Sequence, residues 1–348
     1  MSQPRIGFFS RLLDDVSPSR RYTFATEQIQ QAERHGFASA WVAQHHFKGS
    51  EGGLPAPLVF LAHVAARTTS IRLGTGIITL PLEDPIRVAE DASVVDLLSG
   101  GRLELGFGSG GTPASFQTFG LNFDDRREIF AGKLQVLADA LDGNDFGAGE
   151  ARVYPAASAL SRRLWQATFS ESGATRAGER GDGLMLSRTQ PRPKDNQELS
   201  LVDIQNPMID RYLESLAPGV SPRILSSRTL FVADDRSEAL RFADAGLRNA
   251  VASVGAFDSS LADAPLAEII AATDTHVGTP DDVIESLSSD SSLDRVTDIT
   301  FQVHSVDPPH EHILRSIELI AHKVAPHFGW RLERPLGQQI LDETEARV

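Results

Sequence analysis

Short apolar runs alternate along the chain with longer stretches in which apolar residues recur every three or four positions. That is the spacing of strands followed by amphipathic helices. "RIGFF" at 5–9 predicts a first strand, and "TFATEQIQQAERHGF" after it predicts a helix ending near Gly36. "SAWVA" (39–43) and "APLVFLAHVAART" predict a second strand and its helix, and "IRLGTGI" (71–77) a third strand. The helix that follows, "PIRVAEDASVVDLLSGG", has Pro85 near its start and Gly100 just past its end, where each residue is most at home. "LELGFG" (103–108) predicts the fourth strand, with a helix over 126–141. The second half is less regular. "RLWQATFS" (163–170), "GLMLS" (183–187), "ILSSRTLFVAD" (224–234) and "ITFQVH" (299–304) predict strands five to eight. A short helix is expected in "SGATRAGERG", another in "DIQNPMIDRYLESL", and a last one from about Pro309 to Val324.

Eight strands alternating with helices, with no low-complexity linker and no fixed-period repeat, predict one (β/α)8 barrel of the TIM type over residues 1–348. Two segments, 189–223 and 250–275, are too long for tight connections. They are expected to be insertions, read either as lids over the barrel mouth or as surface elaborations.

Composition narrows the class. At 41% hydrophobic and 23% charged, the chain is expected to be a soluble globular protein. A net charge of −14 makes nucleic acid and anionic membrane surfaces poor partners. The absence of cysteine excludes disulfides, thiolate metal sites and a cysteine nucleophile. No signal-peptide core is visible at the start, and no apolar run reaches the roughly 18 residues of a membrane span. A cytoplasmic enzyme is the expectation.

In such a barrel, ligand-binding groups gather at the carboxyl ends of the strands. "WVAQHHF" (41–47) ends the second strand with His45 and His46. "TGIITLP" completes the third, "GFGSGG" follows the fourth, "FSES" the fifth, "LSRT" the sixth, and His304 ends the eighth. Neighbouring residues of an extended chain point to opposite sides, so His45 and His46 are not expected to chelate one metal. One histidine facing the pocket and one in the wall is the simpler expectation. "FGSGG" (107–111) is neither a dinucleotide nor a Walker motif; it marks close backbone approach to something flat or bulky. "SESGAT" (170–175) offers hydroxyls and free amides at a helix start. That pattern serves an anion site and a plain helix cap equally well. Small strand ends together with an anion site fit a mononucleotide flavin, its ring against strands three and four and its phosphate at strands five and six.

"WVAQHHF" and the long block "LGTGIITLPLEDPIRVAEDASVVDLLSGGRLELGFGSG" resemble the bacterial luciferase-like flavin monooxygenases. The likeness continues through "GLMLS" and "HVGTPDDVIESL" (276–287) to the last helix, and is weakest over 189–223. The resemblance implies a TIM barrel that binds FMN, or a deazaflavin in one branch. It also implies reduced flavin delivered by a separate reductase, molecular oxygen, a small organic substrate, and a homodimer. By position, it implies His45 as the catalytic acid/base, and Thr75, Gly76 and Ile77 beneath the flavin ring at a non-proline cis peptide. It further implies Gly108 and Ser109 beside the flavin, and Ser170, Glu171, Ser172 and Thr175 on its phosphate.

The chain departs from the pattern at three positions. Ser109 stands where the luciferases carry a phosphate-binding arginine, Gly108 where they carry a cysteine, and Gln44 where an acid often precedes the two histidines. Light emission is therefore not implied. Arg188 is expected to compensate at the phosphate, and His304, His46 and Arg188 itself are secondary candidates for substrate contact. The reading is an oxidoreductase acting on paired donors with incorporation of oxygen. Its rivals are a deazaflavin-dependent dehydrogenase on the same fold and a flavin-binding relative without catalysis.

Overall fold

The computed structural model describes residues 3–147, 151–193, 196, 199–253 and 259–333. Its strands are β1 (Arg5–Ser10), β2 (Ser39–Val42), β3 (Arg72–Thr75), β4 (Ile78–Thr79), β5 (Leu103–Gly108), β6 (Leu164–Ala167), β7 (Gly183–Leu186), β8 (Ile224–Val232), β9 (Thr275–Gly278) and β10 (Asp298–Gln302). All pairings are parallel, and they run β1–β2–β3–β5–β6–β7–β8–β10 before β10 returns to β1. The eight predicted strands thus close into the predicted (β/α)8 barrel.

Helices cover its outside in chain order: α1 (Pro18–Arg34), α2 (Pro57–Ala65), α3 (Pro85–Leu98), α4 (Pro113–Thr118), α5 (Arg126–Leu141), α6 (Glu171–Arg180), α7 (Leu201–Ser215), α8 (Arg236–Ser253), α9 (Leu266–Ala272), α10 (Pro280–Ser288), α11 (His310–Leu319) and α12 (Ala325–Phe328). Local chemistry sets their ends. Asp84 caps α3 by accepting from the amides of Ile86 and Arg87, and Gly100 and Gly101 stop it at φ of 67° and 83°. Among the described residues, no helix is long and apolar enough to cross a membrane.

Three features differ from the sequence expectation. The third strand is not continuous. β3 stops at Thr75, the Gly76–Ile77 peptide is cis, and β4 then pairs with Phe107 and Gly108. β9 was not predicted, because Thr275–Gly278 is only four residues long and contains one large apolar side chain. It pairs with the outer half of β8, where Thr229 faces Thr275 on one side and Gln302 on the other.

The third feature concerns the two predicted insertions. Residues 194, 195, 197, 198 and 254–258 of those segments lie outside the described residues. Within 189–223, α7 packs in the outer ring against α6. The Tyr212 hydroxyl donates to the Asp182 carbonyl at 2.9 Å, and a Cβ on Gly178 would lie 2.5 Å from the Tyr212 carbonyl. The segment 250–275 begins within α8, contains α9 and ends at the first residue of β9.

The barrel interior is filled by Trp41, Trp165, Met185 and Leu225. The two indoles meet edge to face at 5.6 Å between ring centres. Glycine makes room for them: a Cβ on Gly74 would sit 2.2 Å from Trp41, and one on Gly183 equally close to Trp165. Trp165 Nε1 donates to Glu104 at 2.7 Å, and Glu104 is held in turn by Arg72. Phe9, Ile77 and Ala167 pack partly exposed against this plug, so it forms a rigid apolar floor under the barrel mouth.

Candidate active site

His45 leaves the end of β2 with its backbone amide bonded to the Leu54 carbonyl at 3.0 Å. Gly52 lies flat against the imidazole, where a Cβ would come within 2.5 Å of Nδ1. Arg11, just past β1, brings Nη2 to 3.5 Å from His45 Nε2. A guanidinium only donates, so in that contact Nε2 takes the acceptor's place. The buried Nδ1 has no hydrogen-bond partner among the described residues. Burial pushes the imidazole down to about 3, with the charge of Arg11, then His46 and His304, adding to the effect. His45 is therefore neutral near pH 7, and its protonated form is disfavoured there.

His46 occupies different surroundings. Its ring lies among Phe47 and Phe119, at 5.7 and 5.1 Å between centres. Burial lowers its pKa, opposed by Glu83, and its buried Nε2 has no partner among the described residues. A small cavity of about 30 Å³, the scale of one water, lies between the two histidines, Thr79, Ser115 and Phe116. Gln44, where an acid was expected, braces the wall instead. Its oxygen accepts from the Thr79 amide at 2.7 Å, and its nitrogen donates to Glu83 and to the Pro55 carbonyl.

The next strand ends make a shelf of backbone. Thr75 is fully buried, and its hydroxyl donates to the Gly106 carbonyl and accepts from the Gly106 amide, bracing β3 to β5. Gly76 lies on Phe9, where a Cβ would come within 2.6 Å of the ring, and Gly108 lies 3.1 Å from Ile77 by the same measure. No larger residue fits at Gly76 without moving the floor. Ser109 continues from Gly108 at the rim, half-buried.

After β6, Ser170 caps α6 by accepting from the Gly173 amide at 3.3 Å and sits 3.2 Å from the Ser172 hydroxyl. The amides of Glu171 and Ser172 are left at the free helix end, with Thr175 one turn in. The Glu171 carboxylate is exposed and pairs with Arg211 at 3.1 Å. These hydroxyls and amides make a cradle suited to a phosphate.

Arg188 lies elsewhere. Its Nη1 donates to Thr229 of β8 at 2.8 Å and its Nη2 to Ser305 at 3.4 Å, and no bond to the 170–175 turn is present among the described residues. His304 is buried, with Nδ1 bonded to Asp307, and the His304–Ser305 peptide is cis. Arg11 and Asp307 were not singled out from the sequence. Arg11 sits at the carboxyl end of β1, so the strand-end rule extended to the first strand would have found it. Asp307 is placed by a turn with φ of 50° that has no sequence signature.

Comparison with known proteins gives the family. The family model described as luciferase-like monooxygenase matches residues 8–291. The chain is 28% identical over 330 residues to 4-hydroxyprotoasukamycin monooxygenase of Streptomyces nodosus subsp. asukaensis, covering 88% of this chain and 87% of that protein. It is 36% identical over 169 residues to the uncharacterised protein y4vJ of Sinorhizobium fredii, covering 46% of this chain and about half, 48%, of that protein. In fold it resembles the oxygenating constituent of 3,6-diketocamphane monooxygenase from Pseudomonas putida, solved with FMN, with a TM-score of 0.72, 18% identity, and coverage of 95% and 100% of the two chains. The chain belongs to the luciferase-like monooxygenase family.

Proposed function

We propose that this protein is an oxygenase that takes reduced FMN from a separate flavin reductase and oxidises a small organic molecule with O2. The observation that carries the reading is the pairing, across one barrel mouth, of a neutral His45 beside a glycine-lined shelf with the open end of α6 and its three hydroxyl residues. When bound, reduced flavin supplies the two electrons with which one oxygen atom enters the substrate and the other leaves as water. The residues of the chain bind and shield. The amides of Glu171 and Ser172 and the hydroxyls of Ser170, Ser172 and Thr175 hold the phosphate. Gly76, Ile77, Gly108 and Ser109 line the ring, and the Trp41–Trp165 floor keeps water from below. His45 takes and returns a proton at its imidazole beside the ring.

The homodimer expected from the family has a candidate face. Val59 of α2 and Val94, Leu97 and Leu98 of α3 are exposed, and the last three fall on one helical stripe.

The test supplies reduced FMN through an unrelated reductase and follows oxygen uptake across small aldehydes, sulfonates, amines and terpenoid ketones. At least one class is expected to gain a single oxygen atom by mass, and His45→Ala is expected to abolish that gain. Uptake that yields only hydrogen peroxide with every substrate, or hydride transfer from a deazaflavin without oxygen, contradicts the reading.

A further inference from the structure

Two arginines occupy the mouth on the side of β1, β8 and β10. Arg188 is 5% exposed, and among the described residues its guanidinium hydrogen-bonds only the hydroxyls of Thr229 and Ser305. Arg11 donates to the Glu51 carbonyl and approaches His45. Among the described residues, neither guanidinium has a carboxylate within ion-pair distance. The acids that sense them are already committed: Asp307 to His304, Asp274 to Arg192, and Glu51 to Lys48. Arg228, the other buried arginine among the described residues, shows the contrast. It is 0% exposed and is tied to Asp290 at 2.6 Å.

A buried cation served only by neutral hydroxyls is costly and usually takes an anionic partner. Burial, with the charge of Arg11 added, pushes Arg188 down to about 9, and Arg11 is lowered by burial too. Both shifts have the direction expected of cations short of counter-charge.

Resting on the flavin reading above, we infer that the substrate carries a carboxylate, which docks between Arg188 and Arg11 and sets the rest of the molecule beside His45. The fork of Arg188 suits a two-oxygen acceptor. The flavin phosphate is not the partner, because its cradle lies at α6 while every bond of Arg188 leads to β8 and the turn after β10. Arg11 links the anion site to the chemistry, since one end of its guanidinium touches the histidine.

The test uses three carboxylates, benzoate, phenylacetate and hexanoate, each beside its neutral amide. Binding is measured by ligand-observed NMR on FMN-loaded and FMN-free protein, with FMN affinity recorded separately. In the wild type at least one carboxylate is expected to outbind its amide by about tenfold or more, the size of one charge-assisted hydrogen bond. Arg188→Met keeps the volume without the charge and is expected to erase that preference while leaving FMN affinity intact. Arg188→Lys keeps the charge without the fork, is expected to retain part of the preference, and carries the test if the Met variant does not fold. Equal binding of all acids and amides overturns the proposal, as does an Arg188→Met protein that loses FMN affinity but keeps the preference. A protein that prefers carboxylates yet binds no FMN refutes the cofactor assignment and leaves the anion site standing.

Discussion

Replacing His45 with glutamine tests the protonation state on which the site depends. In the folded protein the imidazole titrates near 3, against 6.5 for the free side chain. Between those values the unfolded chain binds a proton that the native site refuses. The stabilisation from a neutral His45 is therefore complete above pH 6.5 and is lost as pH falls through that window towards 3. At about 1.4 kcal/mol per unit, the loss between pH 7.5 and 4.5 approaches about 2.6 kcal/mol. Partial solvent access at the ring reduces this to about 1–2 kcal/mol. His45→Gln keeps a side chain of similar length that does not titrate. Urea unfolding of both proteins at pH 7.5 and 4.5 isolates the effect, because His276, also held low at about 4 by burial, contributes equally to each. The wild type is expected to lose that much more stability on acidification than the variant. Equal losses would refute the neutral, desolvated His45.

Four further substitutions probe the scaffold. Gly52→Ala puts a Cβ within 2.5 Å of His45 Nδ1, so the ring must move, and oxygenation is expected to fall by about tenfold or more with the fold retained; full activity by oxygen uptake would show that its placement is unimportant. Gly74→Ala drives a methyl into Trp41 and is expected to cost about 1–3 kcal/mol in urea unfolding, whereas Gly111→Ala, with nothing within 4 Å, should stay within about 0.5 kcal/mol; similar costs would contradict the packed floor. Ser170→Ala removes the α6 cap at about 1 kcal/mol, and if Ser170 also meets the phosphate it weakens FMN while leaving riboflavin unchanged.

The barrel was legible because its strands are short apolar runs and its helices carry their own stops, such as Pro85 and Gly100 around α3. β9 was not, since four residues paired only to the outer half of β8 have no periodicity to read. The strand-end rule drew attention to His45 and His46, but not to how each is held. The flat contact with Gly52, the approach of Arg11 and the aromatic surroundings of His46 are all set by loops meeting in space. Gln44 illustrates the limit best. As a sequence departure it stood for a missing carboxylate; in the fold it ties β2 to β4 through the Thr79 amide and reaches Glu83. Arg188 was assigned first to the phosphate and second to substrate contact by its place after the sixth barrel strand; its side chain turns towards β8, a direction that no spacing in the sequence reveals.

The most direct measurement is an anaerobic titration of the protein with reduced FMN, reduced riboflavin and a reduced deazaflavin, followed by absorbance and fluorescence. Reduced FMN is expected to bind one per chain and to outbind riboflavin by about tenfold or more, the contribution of charge-assisted bonds from the α6 amides and hydroxyls to its phosphate. Equal binding of FMN and riboflavin, or preferential binding of the deazaflavin, would contradict the FMN assignment.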